Sequence, residues 1–169
     1  MYRTLVISLA VAAMLPFSAM AENSVTIAKQ IPYSKDAEVP DAVAKECQLP
    51  EKISQFIQEY AKEDKKVDIK VVDSVSASTP GKVLVMEITN LEGTGGGAWS
   101  GAKFVTTKGI LYENGKEIGS FKAKRRSGGG AFGGFKGTCS ILGRCTKEIG
   151  KDVSEWLQSP TMNAKLGDS

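Results

Sequence analysis

The pair Asn114-Gly115 restricts the fold of this chain more than any other feature of its sequence. Asn-Gly is the preferred dipeptide for a type I′ turn, because both central residues of that turn take positive φ. The flanking runs, Lys103 to Glu113 and Lys116 to Arg125, have strand composition, so together they read as one long antiparallel hairpin. A two-residue turn places Glu113 opposite Lys116, Tyr112 opposite Glu117 and Leu111 opposite Ile118.

Two helical stripes determine how that hairpin is covered. Behind Pro50, a residue tolerated at a helix start, Ile53, Phe56, Ile57 and Tyr60 recur at i, i+3, i+4 and i+7. A closing helix is predicted over 140–157, with Leu142, Cys145, Ile149, Val153 and Trp156 as its apolar stripe. Gly143 and Gly150 each weaken that helix by up to ~1 kcal/mol relative to alanine, which points to close packing against a neighbour. Pro160 stops it. Three further strands are predicted. The segment 24–31 alternates polar and apolar residues and reads as a first, edge strand. The segment 67–72 is a second, and 83–89 is apolar enough to be central.

The order is β-α-β-β-β-β-α. The fold class is therefore α+β: a two-layer sandwich with a mostly antiparallel sheet of about five strands and two helices on one face. Residues 22–160 form a single domain, and 161–169 are expected to be a flexible C-terminal tail.

Residues 1–21 have the form of a cleaved secretory signal peptide. Arg3 supplies the positive start, Leu5 to Leu15 an apolar core, and Ser18-Ala19-Met20-Ala21 the small-x-small cleavage pattern. That core is shorter than the roughly 20 residues a membrane span takes, and no second long apolar run follows. The expected location is the periplasm. Of 22 basic residues the leader removes Arg3, leaving a side-chain charge of about +2 against 19 acidic residues. So even a balance argues against a nucleic-acid partner, while permitting a local basic patch.

Export places Cys47, Cys139 and Cys145 where thiols are oxidised, and three cannot all pair within one chain. Helix phase sets Cys145 on the buried stripe, where a thiol behaves as a small hydrophobe. This favours a Cys47–Cys139 bridge with Cys145 free, and the short Cys139–Cys145 bridge is the alternative. The longer bridge would close about 90 residues, worth on the order of 4 kcal/mol.

Fourteen of the 18 glycines lie between Gly93 and Gly137, in two loops and the hairpin between them. Hairpin geometry brings both loops to one end of the sheet. Trp99, Phe132 and Phe135 place rings there, with Lys122, Lys124, Arg125, Arg126 and Lys136 nearby. Such a surface suits recognition of an anionic or flat partner, through backbone amides, cations and rings. The competing reading is steric: glycines that let backbones approach closely, with the phenylalanines tucked under the sheet.

Other chemistries lack their residues or their setting. The chain has no histidine, which removes Ser-His-Asp and Cys-His catalysis, and its cysteine spacing matches no zinc module. No metal or cofactor is expected. The stretch Gly134-Phe-Lys-Gly-Thr138 departs from a phosphate-binding loop, and Gly128-x-Gly130-x-x-Gly133 lacks a parallel βαβ setting. Ser100-x-x-Lys103 runs into a strand, where residues three apart point to opposite faces. Glu87 reads as a residue of the exposed sheet face and Met86 as core.

Three stretches carry a resemblance: Gly95 to Lys103, Ser127 to Arg144 (Ser-Gly-Gly-Gly-Ala-Phe-Gly-Gly-Phe-Lys-Gly-Thr-Cys-Ser-Ile-Leu-Gly-Arg) and Lys151 to Leu157. Over about residues 47–157 the chain resembles a family of small exported proteobacterial proteins with no established activity. The resemblance implies a cysteine pair at Cys47 and Cys139, with Cys145 unpaired. The element order is also similar to small periplasmic domains that help assemble outer-membrane systems. The expected function is a non-catalytic periplasmic protein that binds an envelope protein or anionic envelope component through the glycine, aromatic and basic loop surface. The alternatives are a small hydrolase assembled only in three dimensions and a carrier with an apolar pocket between sheet and helices.

Overall fold

A computed structural model describes residues 23–93, 101–128 and 135–169. The elements are β1 (Ser24–Ala28), α1 (Asp41–Glu46), α2 (Leu49–Asp64), β2 (Asp68–Val72), β3 (Lys82–Glu92), β4 (Lys103–Glu113), β5 (Lys116–Ser127), α3 (Thr138–Leu157) and β6 (Ala164–Gly167). The strands form one sheet in the order β2-β1-β3-β4-β5-β6. The ladders β3–β4 and β4–β5 are long and antiparallel, whereas β1–β2, β1–β3 and β5–β6 are short and parallel. The α+β two-layer sandwich is thus built as the sequence indicated, with six strands.

One face of the sheet is sealed by the helices. Ile27, Leu84, Ile88, Val105, Leu111 and Ala123 pack there against Leu49, Ile53 and Ile57 of α2 and Leu142, Ile149 and Val153 of α3. These side chains are almost wholly buried. At roughly 25 cal/mol per Å² of apolar area, such a layer is the main driving force for folding. Phe56 and Tyr60 are only half-buried, so the buried stripe of α2 is completed by Leu49, Ser54 and Ala61.

Two of the glycines have clear packing roles. A Cβ on Gly150 would lie 2.4 Å from Phe56 Cβ, so α2 and α3 touch backbone to backbone at that point. A Cβ on Gly109 would lie 2.4 Å from the Phe121 ring, which rests over the neighbouring strand and meets Trp156 edge to face at 4.9 Å. Among the described residues nothing lies within 4 Å of a would-be Cβ on Gly143, so close packing there explains Gly150 but not Gly143.

Cys47 and Cys139 form the disulfide, 92 residues apart with a Cα–Cα distance of 4.9 Å. It ties the α1–α2 junction to the first turn of α3. Cys145 is the free thiol and is buried, as its helix phase required. Burial pushes that thiol up to about 11.

Four expectations need correction. The first strand is not an edge: β1 lies between β2 and β3, and β2 takes the edge. The segment 161–169 is not a loose tail, because β6 pairs in parallel with β5 from Phe121↔Ala164 to Lys124↔Gly167. In the hairpin, Tyr112 faces Glu117 and Glu113 faces Lys116, but Leu111 faces Gly119, since a bulge shifts the register between Leu111 and Tyr112. The closing helix starts at Thr138, two residues early, with Cys139 inside it.

Candidate functional site

Strand alternation sorts the hairpin residues between the two faces of the sheet. On β4, residues 105, 107, 109 and 111 are buried beneath the helices, while Phe104, Lys108, Ile110 and Tyr112 emerge on the other side. On β5, Phe121, Ala123 and Arg125 turn toward the helices, while Ser120, Lys122, Lys124 and Arg126 turn away. No helix covers this second face among the described residues.

The register gathers cations on that uncovered face. Lys108 pairs laterally with Lys122, and Lys122 with Lys165, so three lysines stand side by side on β4, β5 and β6. Lys122, Lys124 and Arg126 continue along β5. Like charges directly opposite on neighbouring strands destabilise a sheet. None of these five residues takes part in an ion pair among the described residues. Lys124 lies 4.8 Å from the centroid of the Phe104 ring, a cation–π contact. Glu87 on β3 is cross-strand neighbour to Lys108 and ends the row.

Glu87, Lys108, Lys122, Lys124 and Lys165 line a groove of about 940 Å³, whose walls also include Val85, Ile110, Ser120 and Asp168, while Arg126 and Phe104 lie beyond its lining on the same face. The groove lies on the sheet face remote from the helices. The helix-side core, where an apolar carrier pocket was the alternative, is filled by side chains that are almost fully buried.

The sequence-predicted site residues separate into four groups. Lys124 and Arg126 belong to the basic face, and Lys122 stands between Lys108 and Lys165. Arg125, in the same basic run, points the other way. It donates from Nε and Nη2 to both carboxylate oxygens of Asp152 at 2.7 and 2.6 Å, and Asp168 lies 3.7 Å from its Nη1. These contacts raise its pKa further, chiefly through the Asp152 hydrogen bonds. Arg125 is therefore a clamp joining β5, α3 and the segment after β6, and it is withdrawn from the candidate surface.

Phe135 is 89 % exposed beside the start of α3, so it is not tucked under the sheet, and Lys136 is half-buried. Trp99 and Phe132 lie outside the described residues. Lys103↔Ser127 pairing confirms that the two glycine loops leave the sheet at one end. Lys103 itself is fully buried at the start of β4 on the helix side, and its carbonyl oxygen accepts a weak Sγ–H bond from Cys145 at 3.8 Å. That placement denies Lys103 to a substrate arriving from solvent.

Sequence reasoning missed Lys108 and Lys165, the flanks of the lysine row. The missing signal was register: Lys165 reaches the row only because β6 forms.

No protein-family model matches the chain, and no curated protein matches it significantly. Among solved structures, it is similar to a PelC dodecamer from Paraburkholderia phytofirmans that carries a single leucine-to-methionine change, at 17% sequence identity and a TM-score of 0.50. That match covers 82% of this chain and 90% of that chain. Another crystal form of the PelC dodecamer from the same organism gives 12% identity and a TM-score of 0.47, over 79% of this chain and 90% of that one. At 17% identity the first of these is a likeness of fold alone.

Proposed function

We propose that this chain is an exported, non-catalytic binding protein of the bacterial envelope, and that its uncovered sheet face receives an anionic envelope component. The observation that carries this reading is the set of five cations, Lys108, Lys122, Lys124, Arg126 and Lys165, gathered on one sheet face with neither an ion pair nor a covering helix among the described residues. A near-neutral chain that concentrates positive charge in one groove accepts a cost to its own stability, which a bound anion offsets. Export is supported by the form of residues 1–21 and by the Cys47–Cys139 bridge, a bond that persists in oxidising compartments. No helix among the described residues is long and apolar enough to cross a membrane.

The test is crosslinking capture from a periplasmic and envelope fraction. Wild type is compared with the triple variant Lys108→Glu, Lys122→Glu, Lys165→Glu, with thermal unfolding measured on the same samples. The reading expects the captured component to be lost while the variant remains folded, since a row of three glutamates repels an anion. Undiminished capture by a folded triple variant would refute it.

A further inference from the structure

The layout of the cations narrows the chemistry of the ligand, on the reading that the uncovered face is the binding surface. The five positive groups are not one point charge. Lys122, Lys124 and Arg126 follow one another at every second residue of β5, spanning about 14 Å at ~3.4 Å per residue. Lys108 and Lys165 flank Lys122 one strand away on either side, about 10 Å apart at ~4.8 Å per strand. A single phosphate or carboxylate can approach only one or two of these groups. A ligand that uses them all carries several negative charges at intervals.

Three further observations restrict what kind of polyanion fits. The lysines share the groove with half-buried Val85 and Ile110, and the Phe104 ring lies under Lys124, so apolar patches alternate with cations over a short distance. Sugar rings present C–H faces to such patches while their carboxylates reach the cations. A planar anionic membrane is a poor match. Four of the five cations line a groove, and the acidic side chains Glu87 and Asp168 also line it, opposing a charged plane. An extended acidic peptide is also a poor match, since peptides add to a sheet through backbone bonds at an edge, and this is a face. Here recognition is by side chains alone.

We infer that the groove across β3, β4, β5 and β6 binds a linear acidic polysaccharide, a chain with a carboxylate on successive sugar units. Lys108, Lys122, Lys124, Arg126 and Lys165 contact the carboxylates, and Val85, Ile110 and Phe104 contact the rings.

Oligogalacturonates of increasing length serve as the probe, titrated against the full mature protein by calorimetry. Fully methyl-esterified oligomers of equal length and vesicles containing anionic phospholipid form the control arms. Affinity is expected to rise with length until the oligomer spans the patch, then level off. Esterification should abolish binding, and Lys108→Gln with Lys165→Gln should weaken it by about tenfold or more. The Ile110→Ser variant, which keeps every charge, should weaken it too. Binding to vesicles but not to the acidic oligomers would overturn the glycan assignment and leave an anionic ligand in place. Equal binding of esterified and acidic oligomers would overturn the role of the cations. No binding in any arm, together with envelope capture that survives charge reversal, would remove both this inference and the functional reading beneath it.

Discussion

Replacing Gly150 by alanine sets two effects of opposite sign against each other. In the interior of a helix, glycine costs up to ~1 kcal/mol relative to alanine, so propensity alone predicts a more stable protein. The structure predicts the reverse. A Cβ at position 150 would lie 2.4 Å from Phe56 Cβ, 3.0 Å from the Phe56 carbonyl carbon and 3.1 Å from the Ile57 amide nitrogen. Two of those atoms are backbone and cannot rotate away, so α2 must shift from α3. Overpacking of this kind costs typically 1–3 kcal/mol, leaving a net loss of about 1–2 kcal/mol after the gain in propensity. For a domain of this size that is a fall in melting temperature of roughly 3–8 °C.

Gly143 is the internal control, since it lies in the same helix with no described residue within 4 Å of its would-be Cβ. Gly143→Ala is expected to raise stability by about 0.5–1 kcal/mol. Urea unfolding of both variants beside the wild type measures the two signs in one experiment. If Gly150→Ala is as stable as the wild type, or more so, the backbone contact between α2 and α3 is wrong.

Two predictions concern the cysteines. A non-reducing peptide map should yield one linked pair, Cys47 with Cys139, and the double variant Cys47→Ala, Cys139→Ala should lose about 4 kcal/mol of stability to the entropy of a 92-residue loop. A Cys139–Cys145 peptide would refute this. The Cys145 thiol ionises near 9.0 in the unfolded chain, but burial holds it protonated in the fold to about 11. The unfolded state therefore binds fewer protons between those values, and stability declines as pH rises from about 9 to about 11. Denaturant titrations across that window should show a smaller decline for Cys145→Ala, and equal slopes would show that the thiol is not held protonated by the fold.

The layers of this fold were legible because they depend on local periodicity. The stripe from Leu142 to Trp156 is buried throughout, and Asn114-Gly115 turns the hairpin as its type I′ preference requires. What could not be read depends on partners distant in sequence. β6 is a four-residue segment, Ala-Lys-Leu-Gly, too short to show a periodic pattern of its own. It is held by bonds from elsewhere: the Asp168 amide donates to the Lys124 carbonyl, and the Asp168 carboxylate accepts from the Arg126 amide. The bulge after Leu111 moves its partner by one residue, which no two-residue turn rule foresees. The candidate site was half visible for the same reason. Lys122, Lys124, Arg125 and Arg126 stand out as a run of charge, but only the strand faces separate Arg125 from the others, and only the register adds Lys108 and Lys165.

The interior position of β1 bears on the order in which the chain can assemble. Among the described residues β2 has no other strand partner, and β1 joins it to β3 through Ile27↔Val71 and Ile27↔Leu84. A chain emerging N-terminus first, from a ribosome or an export channel, delivers β1 long before either neighbour. Ile27 can pair with Val71 only once residue 71 has followed, and with Leu84 only once residue 84 has. Nearly sixty residues of synthesis or translocation thus separate the strand from the second of its two ladders, and non-local pairing of this kind is intrinsically slow and exposed to misassociation. The two outermost strands on that side of the sheet therefore close late, whatever the speed of the hairpin. During that interval the alternating apolar segment at the start of the domain is the one most in need of a holding partner.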